Sequence, residues 1–313
     1  MEKTAKIYIA GHTGLVGSAI MRQLQNSGYE NTVCRSHPEL DLTDAKAVEE
    51  FFGKEKPDYV FCAAAKVGGL QANNAFMADF AMENMKITIN LIDNAYKSGV
   101  KKLLYLGASC IYPRECPQPI KEENLLTGPF EPTNEGYALA KITGVKLCDY
   151  YKKQYGVNFI SCMPANLYGQ NDSYDESKNH VVPALIRRFH KARTDNLPSV
   201  EIWGTGKARR EFMYVDDAAE ACVFLMNAYE GPGIINVGNG NDTSIAELAQ
   251  LVSDTVGYNG KIFFDASKPD GMPRRCLDSS RIRNMGWKAK TTLKEGLEKA
   301  YGWYLDEVPG KTT

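Results

Sequence analysis

No stretch of this sequence approaches the roughly 18 consecutive apolar residues that cross a bilayer as a helix. It also has no Cys-x-x-Cys pair and no run of like charge. The first absence excludes a membrane-spanning helix. The second argues against a zinc site or a disulfide framework, so no metal is expected. The eight cysteines, at positions 34, 62, 110, 116, 148, 162, 222 and 276, fall mostly in apolar runs and read as reduced, buried thiols. The third absence, with a net charge of −1, leaves no basic footprint for nucleic acid or an anionic membrane surface. The opening, "MEKTAKIYIAGHTG", enters a strand without the apolar core of a signal peptide. Reduced thiols and no export signal make the cytoplasm the expected location.

The chain has 313 residues, 43% hydrophobic and 24% charged, the composition of a soluble protein with one large or two modest domains. Its first half alternates between apolar runs and helical patterns. "KIYIAG", "NTVCRS", "PDYVFCAAA", "KKLLYLGAS" and "NFISCMPANLYG" read as strands. Between them lie helical stretches at 13–28, with Gly28 as the stop, at 42–54 with Thr43 as N-cap, at about 73–98 and at about 135–155. Strands that are apolar throughout and alternate with helices imply a parallel sheet covered on both faces. Beyond residue 170 the pattern changes. "VPALIRRFHKA" is a helix, "VEIWGTGKARREFMYVDD" reads as a hairpin around "GTGKARR", and "GIINVGNGNDTSIAELAQLV" as strand, polar turn and helix. The expected division is a cofactor-binding part over 1–170, with returning segments at about 211–239, and a smaller mixed α/β substrate cap from 171–210 and 240–313.

Two motifs carry chemistry. "GHTGLVG" places Gly11, His12, Thr13, Gly14, Leu15, Val16 and Gly17 between the first strand and the first helix. There, glycines permit a tight turn, a close approach to a pyrophosphate and packing of helix on strand, while the helix N-terminus attracts negative charge. The second strand ends in Arg35 with no acid for three residues, which favours the 2′-phosphate of NADP(H) over the free ribose of NAD. Asp41 is a candidate for the adenine side. Further on, "GYALAK" sets Tyr137 and Lys141 four apart on one helix face. An ammonium beside a phenol lowers its pKa, and the pair can pass a proton to a carbonyl oxygen.

"GHTGLVG", "AAKVGG", "YALAK" and "WGTGKARREFMYVDD" together resemble the extended short-chain dehydrogenase/reductase family, over essentially the whole chain. The resemblance implies a Rossmann-type doubly wound sheet with a smaller C-terminal substrate domain, and typically a homodimer formed through a four-helix bundle of the stretches near 73–98 and 135–155. "GASCIYP", "NHVVPALIRRFH" and "KPDGMPRR" narrow it to the branch that epimerises carbons 3 and 5 of a GDP-4-keto-6-deoxy sugar and reduces carbon 4 with NADPH. In that branch a cysteine and a histidine exchange the carbon-bound protons, here Cys110 and His180. Leu106, Gly107, Ala108, Lys141, the segment Pro164, Ala165, Asn166 and Leu167, and His180 match cofactor contacts. Arg188, Trp203, Arg210 and Asp270 match contacts to the GDP-sugar.

The sequence departs from that pattern at Ala108, where the branch normally carries a serine with its hydroxyl on the ketone oxygen. Three readings stay open: Ser109 substitutes, although neighbouring strand residues face opposite ways; Tyr137 suffices with slower turnover; or the alanine was introduced. Two rival functions also stay open. One is an epimerase or reductase for another GDP-sugar, such as a 4-keto heptose. The other is a catalytically weakened nucleotide-binding protein.

Overall fold

The computed structural model describes residues 1–175, 179–268 and 270–308. The first strand, β1 (Ile7–Ala10), is buried along its whole length, as a parallel strand covered on both faces must be. Helix α1 (Leu15–Asn26) follows and ends before Gly28, whose φ of +74° breaks the helical path. β2 is short, Thr32–Val33. Helix α2 (Ala45–Glu55) is capped by Asp44, not by Thr43: the Asp44 carboxylate accepts from the amides of Lys46 and Ala47. The Thr43 hydroxyl is instead spent on Asp41. β3 is Tyr59–Cys62.

The expected helix at 73–98 is two, α3 (Leu70–Ala75) and α4 (Met77–Lys97), broken where Phe76 takes φ −120° and ψ 39°. Then come β4 (Lys102–Leu106), α5 (Glu135–Tyr155), β5 (Asn158–Pro164) and β6 (Asn166–Tyr168). The remainder holds α6 (Val181–Thr194), β7 (Ser199–Trp203), β8 (Arg209–Tyr214), α7 (Val215–Ala228) and β9 (Ile234–Val237). It ends with β10 (Asp242–Ser244), α8 (Ile245–Val256), β11 (Lys261–Asp265), β12 (Arg274–Arg275), α9 (Ser280–Asn284) and α10 (Leu293–Glu307).

Six strands form one sheet in the order β2-β1-β3-β4-β5-β9, every pairing parallel. It is the Rossmann-like core expected from the alternating pattern. Helix α1 packs with α7, and α2, α4 and α5 pack in a row. The register aligns Ala10 with Cys62, Cys62 with Tyr105, and Leu106 with Cys162. The turns that follow β1, β3, β4 and β5 therefore open on one edge, where ligands of such sheets bind.

β8 anchors a second, smaller sheet, with β10 antiparallel and β6 and β12 parallel to it. The anticipated hairpin is absent: β7 pairs with β11, and β8 with β6, β10 and β12. "GTGKARR" turns the chain between two sheets because partners far along the chain compete better for each strand than its neighbour does. α7 and β9 return to the large sheet, while Glu211–Tyr214 stay in the small one. A second core of aromatic and aliphatic side chains, including Tyr168, Phe189, Tyr214, Leu248 and Leu297, fills the space under α6, α8 and α10. Residues 309–313, included in the expected cap, lie outside the described residues.

Candidate active site

The glycine turn has the form of an anion cradle. Gly11 takes φ +85°, and a Cβ there would lie 2.7 Å from the Ala64 backbone after β3. A Cβ on Gly17 would lie 2.1 Å from the Gly11 carbonyl oxygen, so only glycine lets α1 start this close to β1. Gly14 differs: its Cβ position meets only the Gly11 oxygen, at 3.6 Å, and otherwise faces open space. Gly14 is also the N-cap of α1 and supplies no side-chain acceptor for the first amides. Nδ1 of His12 is buried without a hydrogen-bond partner. Uncapped helix amides, an orphaned ring nitrogen and space on the Gly14 side fit the diphosphate of a dinucleotide. Arg35 follows β2, its Nη2 2.7 Å from Glu55 Oε1 and its guanidinium 5.6 Å from the Phe51 ring centroid. Asp41 accepts from the Thr43 amide and hydroxyl, which ties it to the turn before α2.

Helix α5 reaches the edge of the sheet because two glycines allow it. A Cβ on Gly136 would lie 2.6 Å from the Met77 carbonyl, and one on Gly144 would lie 2.2 Å from the Tyr105 ring. On the face so buried, Lys141 Nζ donates to the Leu106 carbonyl at 2.8 Å. It lies 5.8 Å from the Tyr137 ring centroid. Burial lowers the lysine pKa to about 8, against the opposing pull of Cys110, Cys62 and Cys162. The expected acidification of Tyr137 is not seen. Burial holds the phenol well above its ordinary value, with Cys110 and Tyr105 pushing the same way. The ammonium donates to a backbone carbonyl, and desolvation of the ring is the largest influence on the phenol. A protonated phenol is the form that gives a proton to a carbonyl oxygen.

After β4, Ala108 is extended and half-buried, and a single 3-10 turn, Ser109–Ile111, follows. Ser109 is buried and its carbonyl accepts from Arg275 Nη1 at 2.6 Å. Cys110 is half-buried; desolvation raises its thiol pKa, while Arg275 and Lys141 oppose the rise. A Cβ on Gly107 would displace the end of the Met163 side chain, whose Sδ lies 2.3 Å from that position. Pro164 ends β5, Ala165 is buried beside Val237, the Asn166 amide donates to the Glu211 carbonyl, and Leu167 continues β6. Tyr137, Lys141 and Cys110 thus share one electrostatic environment. His180 enters from another element, as the N-cap of α6, with its imidazole pKa lowered by desolvation.

The other four candidates line the cap. Arg188 Nη1 donates to the Glu201 carbonyl, and the Trp203 ring, 55% exposed, ends β7 with Lys268 Nζ 5.6 Å from its centroid. The Asp270 carboxylate accepts from the Thr205 amide and hydroxyl, so it fastens the turn that presents Trp203. Arg210 lies beside Gly271, its pKa lowered by burial and by Arg275. Sequence reasoning missed Arg275 and Glu211. Glu211 is 1% exposed and accepts from the amides of Gly240 and Leu277, joining three segments of the small sheet. The one signal was charge inside the apolar strand "RREFMY", and inside the quoted "KPDGMPRR", where only Asp270 drew notice.

The profile of the NAD dependent epimerase/dehydratase family matches residues 7–238. The chain is 55% identical over 311 residues to putative GDP-L-fucose synthase 2 of Arabidopsis thaliana, covering 99% of this chain and 95% of that one. It is 49% identical over 310 residues to GDP-L-fucose synthase of Escherichia coli (strain K12), covering 96% and 97%. Among solved structures it is similar to MlghC, described as a GDP-mannoheptose C4 reductase from Campylobacter jejuni with NADP bound. That match has 40% identity and a TM-score of 0.90, covering 97% of this chain and 99% of the other.

Proposed function

The chain belongs to the NAD dependent epimerase/dehydratase family, and from that premise we propose that it converts GDP-4-keto-6-deoxy-D-mannose to GDP-L-fucose. The reaction inverts carbons 3 and 5 and reduces carbon 4. NADPH supplies the hydride. The observation that carries the reading is the grouping of Cys110 with Tyr137 and Lys141 at the edge that also holds the glycine cradle. A simple reductase needs the phenol and the lysine; a thiol beside them suits an enzyme that also moves protons on carbon.

Each residue then has a task. The glycine turn from Gly11 to Gly17 holds the cofactor's diphosphate, and Arg35 offers positive charge to its 2′-phosphate. Ketone polarisation acidifies the hydrogens on carbons 3 and 5. Cys110 and His180 exchange those protons, an imidazole being able to give or take one near neutral pH. Tyr137 gives its proton to the oxygen on carbon 4 as the hydride arrives, and the Lys141 ammonium offsets the charge left on the phenol. Arg188 and Arg210 meet the GDP diphosphate, with Trp203 and Asp270 on the nucleotide or sugar. The large sheet serves as the cofactor part and the segments around β7 to β12 as the cap. A cytoplasmic location belongs to the same reading and is supported by the cysteines, which stand as free thiols; separately, no helix among the described residues is long and apolar enough to cross a membrane. The chain works as a homodimer, in which Met82 and Ile89 of α4 and Leu139 and Tyr150 of α5, all exposed on the single chain, are covered by a second copy.

The test is incubation with NADPH and the keto sugar in D₂O. Dihydronicotinamide absorbance falls and deuterium enters carbons 3 and 5. Tyr137→Phe lowers the reduction rate by about 10² to 10⁴. Reduction without deuterium at those carbons would leave a plain C4 reductase, and no oxidation of NADPH at all would remove the proposal.

A further inference from the structure

Arg275 is 5% exposed, yet no ion pair to it exists among the described residues. Its Nη1 donates to the Ser109 carbonyl at 2.6 Å, Nη2 lies 3.1 Å from Met272 Sδ, and Nε is buried without a partner. Arg210 stands close enough to add like-charge repulsion, and both guanidinium pKa values are lowered. The nearby carboxylate, Glu131, acts on both arginines at a distance and is paired with Arg114 at 3.5 Å. Burying a guanidinium without a carboxylate in contact is strongly unfavourable, because the charge loses its hydration without a compensating partner. A protein that needed only a strut behind this turn would do better with a neutral side chain.

The groups facing that charge suggest its use. Arg275 is felt by the Cys110 thiol ahead of every other cation, with Lys141 of α5 second; Cys116 is the other thiol in its field. Among the described residues, Tyr137 and Tyr105 also feel the charge of Cys110. The Ser109 carbonyl belongs to the peptide unit that precedes Cys110, so the Nη1 bond also sets the plane from which the thiol projects.

We propose that Arg275 is a positioning residue for proton exchange: it fixes the 3-10 turn through the Ser109 carbonyl and supplies the positive charge that a Cys110 thiolate requires. The inference rests on the reading of Cys110 given above. In the step it serves, a C–H bond beside the ketone breaks and an S–H bond forms on Cys110. The electron pair of the C–H bond moves to the carbonyl oxygen as an enolate, and the carbon is reprotonated from the opposite face. No oxidant or reductant is needed for the exchange.

The experiment follows alkylation of Cys110 by iodoacetamide against pH, read by mass spectrometry on the Cys110 peptide. Half-buried Cys34 follows β2, three strands from β4, and is the internal reference. Arg275→Met should move the Cys110 midpoint up by about one pH unit or more and slow alkylation at neutral pH by roughly tenfold, with Cys34 unmoved. Arg275→Lys should keep the parent midpoint, since it keeps the charge. In turnover, Arg275→Met should lower kcat for deuterium entry at neutral pH with little change in KM, and the deficit should shrink as pH rises. An unmoved Cys110 midpoint, or an equal shift at Cys34, overturns the proposal. Should the Met variant not fold, Arg275→Lys decides: a raised Cys110 midpoint there overturns it as well. A parent chain that never turns over the keto sugar defeats the functional reading, while the alkylation arm still judges Arg275.

Discussion

At the scale of single residues, burial and charge compete, and burial wins more often than side-chain spacing suggests. Tyr137 and Lys141 do share a helix face, but desolvation raises the phenol and lowers the lysine. Those opposite shifts suit a proton donor beside a cation that serves without permanent pairing. By the family resemblance, Ala108 stands where a hydroxyl donor is expected. Its backbone, at φ −156° and ψ 148°, is extended and half-buried, a geometry that accepts serine without strain. Ala108→Ser should raise kcat by up to about a hundredfold, the value of one donor at a developing oxyanion. Steady-state rates with saturating NADPH check it; equal rates would mean that the ketone oxygen is already served by Tyr137 or Ser109.

Among the elements, the loop between β1 and α1 separates two kinds of glycine. At Gly17 a Cβ would press within 2.1 Å of the Gly11 oxygen and 2.9 Å of the His12 Cα, both backbone atoms that cannot step aside cheaply. Gly14 has only the 3.6 Å neighbour. Gly17→Ala should therefore lower Tm and weaken NADPH binding together. Gly14→Ala should leave Tm near that of the parent chain yet weaken binding by tenfold or more, because the added methyl meets only the ligand. Thermal melts with and without NADPH, alongside Kd by fluorescence, separate the two cases. If both variants melt alike and bind alike, the cradle has been misassigned.

For the whole molecule, α4 and α5 pack against each other and leave Met82, Ile89, Leu139 and Tyr150 facing outward. Met82 and Ile89 are seven apart, so they lie on one stripe of α4. Ile89→Asp should convert a dimer to a monomer by light scattering, with far-UV circular dichroism unchanged. A parent chain that is already monomeric, or a variant that stays dimeric, would take the interface away from these helices. Pinned between two such helices, the catalytic face of α5 would also lose rigidity on dissociation, and a fall in kcat with the dimer would report it.

How much of this is legible in the chain depends on how local the cause is. The parallel sheet follows from strands apolar throughout and separated by helical patterns, among them the helix at Glu135–Tyr155. The glycine turn and the Tyr137–Lys141 spacing are local as well, so the tight turn after β1 and the shared helix face of the pair could be read without coordinates. Partner choice is not local. β7 and β8 were free to form a hairpin, and only the availability of β11, β6, β10 and β12 sent them to separate sheets. Nor could spacing tell that Arg275, far along the chain from Cys110, would bond the peptide unit preceding it, or that burial would keep Tyr137 protonated. The sequence by itself determined which segments are strands and which side chains are capable of the chemistry. The tertiary structure decided which of them meet, and in which protonation state, because desolvation and long-range pairing exist only once the chain has closed on itself.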